Sequence, residues 1–202
     1  MTFKALSYDS LMLYFEQIIS EKVLDEIQAT YQSLKSIEGI IDITPSYCSI
    51  LVQFNISIFD HEQLIGIIKE QRFQNKNRIK KESKLIKIPT NYNQNLDLER
   101  VANHNNLTIE EVISLHTERT YRVYAIGFMV GFAYLATLDP QIITPRLSSP
   151  RKKVPKGSVA LADNQTAIYP QASSGGWNVI GQTEFNAFDT FEIGDRVEFE
   201  RI

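Results

Sequence analysis

Between Tyr121 and Thr183 this chain concentrates residues that restrict a backbone. Gly127-Phe128-Met129-Val130-Gly131-Phe132-Ala133-Tyr134-Leu135 opens the stretch, Pro145-Arg146 and Pro150-Arg151 sit in its middle, and Gln165 to Pro170 leads into Ser174-Gly175-Gly176-Trp177. Glycine permits turns and close approaches that other residues forbid, and proline interrupts helices, so the spacing predicts short strands broken by specific turns. Arginine adds a rigid fork suited to carboxylate or phosphate. The stretch reads as binding loops carried on a β scaffold.

The strand pattern there is consistent. Tyr121 to Ile126 is apolar on both faces and so predicts a central strand, followed by strands at Ser158–Ala162, Ala167–Tyr169, Trp177–Gly181 and Arg196–Phe199. Short strands at turn-separated intervals predict a barrel or sandwich.

Upstream, two periodicities alternate. Leu11, Leu13 and Phe15 recur at every second position, then Leu24, Ile27, Tyr31 and Leu34 follow at helical spacing behind a Ser20 cap. A hairpin is expected across Pro45-Ser46, with Cys48, Ile50, Val52 and Phe54 on one face. Asp60-x-x-Gln63 predicts a capped helix through Leu64, Ile67 and Ile68, and Leu85, Ile86 and Ile88 suggest a closing strand. The resulting order, βαββαβ, is the ferredoxin-like split unit. A domain boundary is placed in the polar stretch from Pro89 to Asn95, giving domains 1–90 and 91–202. The second would open with a helical hairpin over Leu96–His104 and Thr108–Thr117, the latter behind a Thr108-x-x-Glu111 box.

Composition narrows the function. The chain has 202 residues, enough for two small domains with real cores, and a net charge of -3 with both signs mixed. No overall basic field exists to hold nucleic acid. The single cysteine cannot close an internal disulfide, and no leader or membrane-length apolar run is present, so a soluble cytoplasmic protein is expected. Cys48 lies on an apolar strand face without a basic neighbour and reads as a core thiol. The lysines and arginine from Lys76 to Lys87 read as a solvated loop and strand edge.

The site candidates carry two readings each. His116 closes a helix, where a cationic imidazole would bind an anion or move a proton; packed at a domain joint, it would be structural. Arg146 and Arg151 are candidates to hold a carboxylate or phosphate oxygen, or else pair with surface acids. Gln165 and Tyr169 would orient a polar ligand or serve turn and core. Gly175-Gly176 would turn backbone donors toward a ligand, or form a tight turn stapled by Trp177. Phe128, Phe132, Tyr134 and Trp177 are expected at a partner interface or in the core. No Gly-x-x-x-x-Gly-Lys-Ser/Thr loop, metal-ligand spacing or Gly-x-Ser-x-Gly elbow occurs, so no catalytic residue is assigned and no metal is expected.

His116, Gly127-Phe128-x-x-Gly131-Phe132-x-Tyr134-Leu135, Pro145-Arg146, Pro150-Arg151, Gln165-Thr166, Ile168-Tyr169-Pro170, Gly175-Gly176-Trp177 and Gly194-Asp195 stand in an order that resembles the family variously called allophanate hydrolase subunit 1, kinase inhibitor KipI and 5-oxoprolinase subunit PxpB. The resemblance implies a small α+β domain followed by a cyclophilin-like β-barrel. It further implies a subunit of an ATP-dependent 5-oxoprolinase, active only beside a PxpC-like sister subunit and a PxpA-like lactamase subunit, with ATP shared between chains. Two other roles occur in the same family: inhibition of a sensor histidine kinase, and a part in urea carboxylase or allophanate hydrolase chemistry. Val130, Ala133, Leu147, Asp163-Asn164, Ala167 and Ser174 depart from that family's usual Gly, Pro or Arg.

Overall fold

The computed structural model describes residues 1–74, 83–93 and 95–202. The chain divides into two compact units, Met1–Glu82 and Ser83–Ile202.

In the first unit the elements are β1 (Thr2–Ser7), β2 (Ser10–Tyr14), α1 (Glu21–Leu34), β3 (Ile40–Pro45), β4 (Ser49–Phe54) and α2 (His61–Gln74). Its antiparallel sheet runs β1-β2-β4-β3. Leu11, Leu13, Ile50, Val52 and Phe54 are fully buried, as are Leu24 and Ile27 of α1 and Leu64 of α2. Each such side chain contributes roughly 1.5–3 kcal/mol by leaving water. The helix starts follow local chemistry. Ser20 accepts from the Val23 N–H, while Asp60 and Gln63 bond reciprocally at 2.8 and 2.9 Å.

This is a split β-α-β sheet, but its order is ββαββα where βαββαβ was expected. The place beside β2 belongs to β1, delivered by a tight turn at Asp9. That carboxylate accepts from Ser7 Oγ at 2.6 Å and Gln53 Nε2 at 2.8 Å, tying the turn to β4. An edge strand with only Phe3 half-buried carries no readable alternation.

The expected closing strand, β5 (Leu85–Thr90), lies in the second unit. It pairs in parallel with β13 (Arg196–Arg201), from Leu85 beside Arg196 to Thr90 beside Arg201. The division therefore falls after Glu82, ahead of the expected boundary, because Ile88 and Thr90 face the second core and are both fully buried. Of the lysine-rich run, residues 75–82 lie outside the described residues. Lys84 and Lys87 pair with Glu192 at 3.9 Å and Glu200 at 2.6 Å.

The second unit adds α3 (Leu98–Asn105), α4 (Ile109–Thr117), β6 (Thr120–Ile126), β7 (Ala133–Ala136), β8 (Arg151–Val154), β9 (Ser158–Ala162), β10 (Gln165–Ile168), β11 (Ser173–Gly175) and β12 (Asn178–Gln182). Among the described residues, seven strands form one sheet ordered β12-β9-β10-β7-β6-β13-β5. Its ends meet. Asn91 and Gln182 exchange both backbone hydrogen bonds, at 2.8 and 3.0 Å, so the sheet curls into a nearly closed barrel. Gly181 makes that approach possible, since a Cβ there would stand 2.8 Å from Thr90 Cγ2. Strands β8 and β11 form a separate ribbon. A mixed α and β architecture with a barrel is thus present, and no helix among the described residues is long and apolar enough to cross a membrane.

A fragment spanning residues 83–202 is expected to unfold in urea as one cooperative transition, followed by circular dichroism. A fragment spanning 91–202 lacks β5 and should show none; equal cooperativity in both would remove β5 from the barrel.

Candidate functional site

The barrel interior at one end is filled by unequal partners. Ala160, Ala162 and Ala167 on β9 and β10 leave room for Phe132, Tyr169 and Trp177, which pack with Val154 and Val179. Phe132 is the hub, with ring centroids 4.9 Å from Tyr134, 5.4 Å from Tyr169 and 5.8 Å from Trp177, all edge-on. Phe132 and Trp177, expected at a partner interface, are buried in this core and offer no face to a partner. The alternative expected for both, a core position, is where the structure puts them. Phe128 is 63% exposed beside Phe132, and Val130 in the same loop is 89% exposed. Tyr134 is half-buried, and burial raises its phenol pKa.

Tyr169 clamps the ribbon. Its ring is buried, the Trp177 backbone N–H donates to its hydroxyl, and burial is the largest influence on its pKa, raising it. Gly175 is required beneath it, because a Cβ there would lie 2.2 Å from Tyr169 Oη. Gly176 presents its carbonyl to the Leu147 N–H at 2.8 Å. Gly175 ends β11 beneath the Tyr169 ring and Gly176 follows outside the strand, so neither glycine of the pair lies in the expected tight turn.

The two arginines share this rim but differ in state. Arg146 is pinned by its backbone neighbours: the Pro145 carbonyl accepts from Asn178 Nδ2 at 3.1 Å and Arg100 Nη1 at 3.4 Å, and the Leu147 N–H is bonded as above. Its guanidinium carbon stands 5.6 Å from the centre of the Trp177 ring, a cation–π distance, and its Nε lies 3.8 Å from Asp163. The side chain is 58% exposed. Arg151 opens β8 opposite Gly175, and its Nη2 bonds Asp97 Oδ1 at 2.5 Å. Only 28% of that side chain is exposed, and Nη1 is buried without a hydrogen-bond partner.

Asp97, absent from the sequence candidates, is buried just ahead of α3. Its Oδ2 accepts from the Val179 N–H at 2.7 Å, and its own N–H donates to the Val179 carbonyl at 2.8 Å. One carboxylate therefore joins α3, β12 and the ribbon. The sole available signal was an aspartate ahead of a helix, a common capping residue, although here it caps nothing by its side chain.

Two candidates lie elsewhere. Gln165 begins β10, at the end of that strand remote from Tyr169. His116 is fully buried within the second unit. Its Nε2 lies 2.9 Å from Thr166 Oγ, which donates onward to the Ala160 carbonyl; its Nδ1 lies 2.7 Å from the Tyr92 hydroxyl. That chain of donors requires Nε2–H and an Nδ1 that accepts. The Phe199 ring packs 4.5 Å away, and burial lowers the imidazole pKa from 6.5 to about 3. A cationic, anion-binding His116 is ruled out by this desolvation; it is a neutral core histidine bonded to side chains. Cys48 is half-buried, and burial raises its thiol pKa. The broad groove along α3, about 640 Å³ and lined by Leu96, Glu99, Arg100, Asn103 and His104, contains none of the rim candidates. Among the described residues no group of three His, Cys, Asp or Glu side chains is placed to hold a metal.

This architecture, a nearly closed barrel with an arginine-bearing ribbon preceded in the chain by a four-stranded α/β unit, belongs to a carboxyltransferase-type domain, because residues 1–194 match the family model described as carboxyltransferase domain, subdomain C and D. The chain belongs to that family and, within it, to the group of 5-oxoprolinase B subunits: it is 32% identical to the B subunit of 5-oxoprolinase from Bacillus subtilis (strain 168) over 218 aligned positions, gaps included, that cover 98% of this chain and 91% of that one. The solved structure of TTHA0988 superimposes with a TM-score of 0.85 at 30% identity over 97% of this chain, which spans 40% of that longer polypeptide. The Kluyveromyces lactis urea carboxylase shares the fold alone, with a TM-score of 0.73 at 16% identity over 99% of this chain and 21% of that one.

Two outcomes are expected from these contacts. Gly175→Ala should lower unfolding stability by about 1–3 kcal/mol, through displacement of the Tyr169 ring, as measured by urea titration. For His116, the unfolded imidazole gains a proton near 6.5 and the folded one only near 3, so its contribution is complete above pH 6.5 and declines as pH falls. The decline approaches about 1.4 kcal/mol per pH unit, and His116→Gln should flatten the stability profile between pH 6 and 4.

Proposed function

We propose that this chain is the B-type subunit of an ATP-dependent 5-oxoprolinase, and that its barrel rim binds the small anionic ligand while partner subunits supply the rest of the site. The observation that carries the reading is the 32% identity to a 5-oxoprolinase B subunit across nearly the whole chain. A protein named as a subunit works with others. In this reading the barrel is cyclophilin-like, the protein is cytoplasmic, and the partners are a PxpC-like sister subunit and a PxpA-like lactamase subunit.

The chemistry explains the division of labour. Hydrolysis of an unstrained lactam is slow, and transfer of the ATP γ-phosphoryl group to the lactam oxygen creates a better electrophile. Water then adds at that carbon, the ring C–N bond breaks with a proton delivered to nitrogen to leave an acyl phosphate, and a second water hydrolyses that acyl phosphate to glutamate and inorganic phosphate. The rim offers binding groups for such a substrate: the exposed Arg146 guanidinium and the half-buried Tyr134 phenol beside it. With their pKa values raised by burial, Tyr134 and Tyr169 remain neutral donors at neutral pH and are poor nucleophiles. In this reading ATP is a substrate shared with a partner chain.

A second reading rests on Phe128 and Val130. An exposed apolar loop beside an aromatic rim suits docking of a protein segment, as a KipI-type inhibitor of a sensor histidine kinase would require. Co-purification with the sister and lactamase-like subunits separates the two. The enzyme reading expects ATP hydrolysis only when 5-oxoproline is added, with glutamate released in equal amount. An inert complex, together with an isolated chain that lowers kinase autophosphorylation, would establish the regulator.

A further inference from the structure

We infer that Arg146 alone is the oxyanion contact of the rim, and that Asp97 and Arg151 form a positioning pair that sets the β8–β11 ribbon against β12. The inference rests on the reading of the rim as the small-anion site of a 5-oxoprolinase subunit, and assigns different work to two arginines that sequence treats alike.

Arg151 has no fork to offer. One terminal nitrogen is held by Asp97 at 2.5 Å, and the other is sealed from solvent. A carboxylate or phosphate is held most firmly by two adjacent donors, and the two terminal nitrogens of Arg151 do not offer that pair. Its partner Asp97 is 5% exposed at the side chain and is fixed by the Val179 N–H, so the pair is anchored on β12. Removal of either member would leave the other charge buried without compensation. The pair is therefore a fixed strut between strand and ribbon.

Arg146 is the opposite. Its backbone is held on both sides by Pro145 and Leu147, while its guanidinium makes no hydrogen bond among the described residues. The nearest acid, Asp163, lies 3.8 Å from Nε with both side chains exposed, a pairing worth little in water. The guanidinium carbon stands 5.6 Å from the Trp177 ring centre, a cation–π distance that leaves its N–H donors without a hydrogen-bond partner among the described residues. Arg146 bears electrostatically on both the Tyr134 and Tyr169 phenols, and Arg151 on Tyr169. The ribbon that the strut sets ends at Gly175, two residues before Trp177, so Asp97 and Arg151 act on the ligand through the indole on which Arg146 rests.

Trp177 is the only tryptophan of the chain, so its emission reports this site directly. The full-length chain is titrated at constant ionic strength with 5-oxoproline, a carboxylate, and with inorganic pyrophosphate, a phosphate source, with chloride as control. A saturable change with one probe names the source of the oxyanion. Arg146→Ala should weaken that response ~10-fold or more, the loss of one or two charged hydrogen bonds, with an unchanged melting temperature, and Arg146→Lys should restore part of it. Asp97→Asn and Arg151→Gln should each shift the ligand-free Trp177 emission and weaken the response equally, with the double variant no weaker than either. If Arg151 touched the ligand, Arg151→Gln would abolish the response while Asp97→Asn, which frees the guanidinium, would spare or strengthen it. That pattern, a response retained in Arg146→Ala, or a wild-type chain silent to both probes overturns the inference. Should the Arg151 and Asp97 variants fail to fold, the Arg146 pair still decides. Turnover by the reconstituted complex tests the enzyme reading separately, since a saturable response without turnover would remove that reading and leave the Arg146 contact standing.

Discussion

The second unit depends on a narrow seam of two backbone hydrogen bonds, beside which the Thr183 hydroxyl donates to the Pro89 carbonyl at 2.6 Å. Asn91 and Gln182 join the strand that enters the barrel to the strand at the far edge of its sheet, and without them the curled sheet would expose two edges. Gly181 keeps the seam narrow. The segment beyond Asn91 is organised by the same closure, because Tyr92 enters the core directly and its hydroxyl meets His116. The helical hairpin is thereby fastened to the barrel wall through a neutral imidazole and Thr166 on β10.

Polar groups inside this unit are consistently used as fasteners. Thr90 is fully buried with its hydroxyl on the Ile88 carbonyl, Asn178 spans to the Pro145 and Leu161 carbonyls, and Asp195 receives the Lys84 and Glu192 N–H groups. Each bond pairs a polar side chain with a backbone group of this unit. The cost of burying these polar groups is thus offset locally, and the apolar interior is left to Phe132 and its ring of aromatic neighbours. The rim that carries Arg146 is built on that packed interior, with the guanidinium 5.6 Å from the Trp177 ring centre.

The parts of this architecture that could be read from residue order are those whose causes are local. Capping at Ser20, Asp60 with Gln63, and Thr108 with Glu111 depends on residues three apart, and all three caps are present. The central position of β6 follows from apolar character on both faces. Strand β1 escaped notice because an exposed edge has no buried face to mark its period. The ribbon strands escaped because three or four residues are too few to show one.

Chemistry was legible as residue type, and its use was not. Arginine, glycine and aromatic residues between Gly127 and Trp177 marked out the rim, and the order of those residues alone pointed to the family that full-length identity then supported. Which arginine is free and which is clamped depended on Asp97, which lies 54 residues from Arg151 and 82 from Val179 in the chain. His116 shows the same limit: a helix terminus favours charge only while water can reach it, and the enclosing barrel took that water away. Spacing along a chain encodes neighbours within a turn or two, whereas burial and ionic pairing are properties of what folding brings alongside.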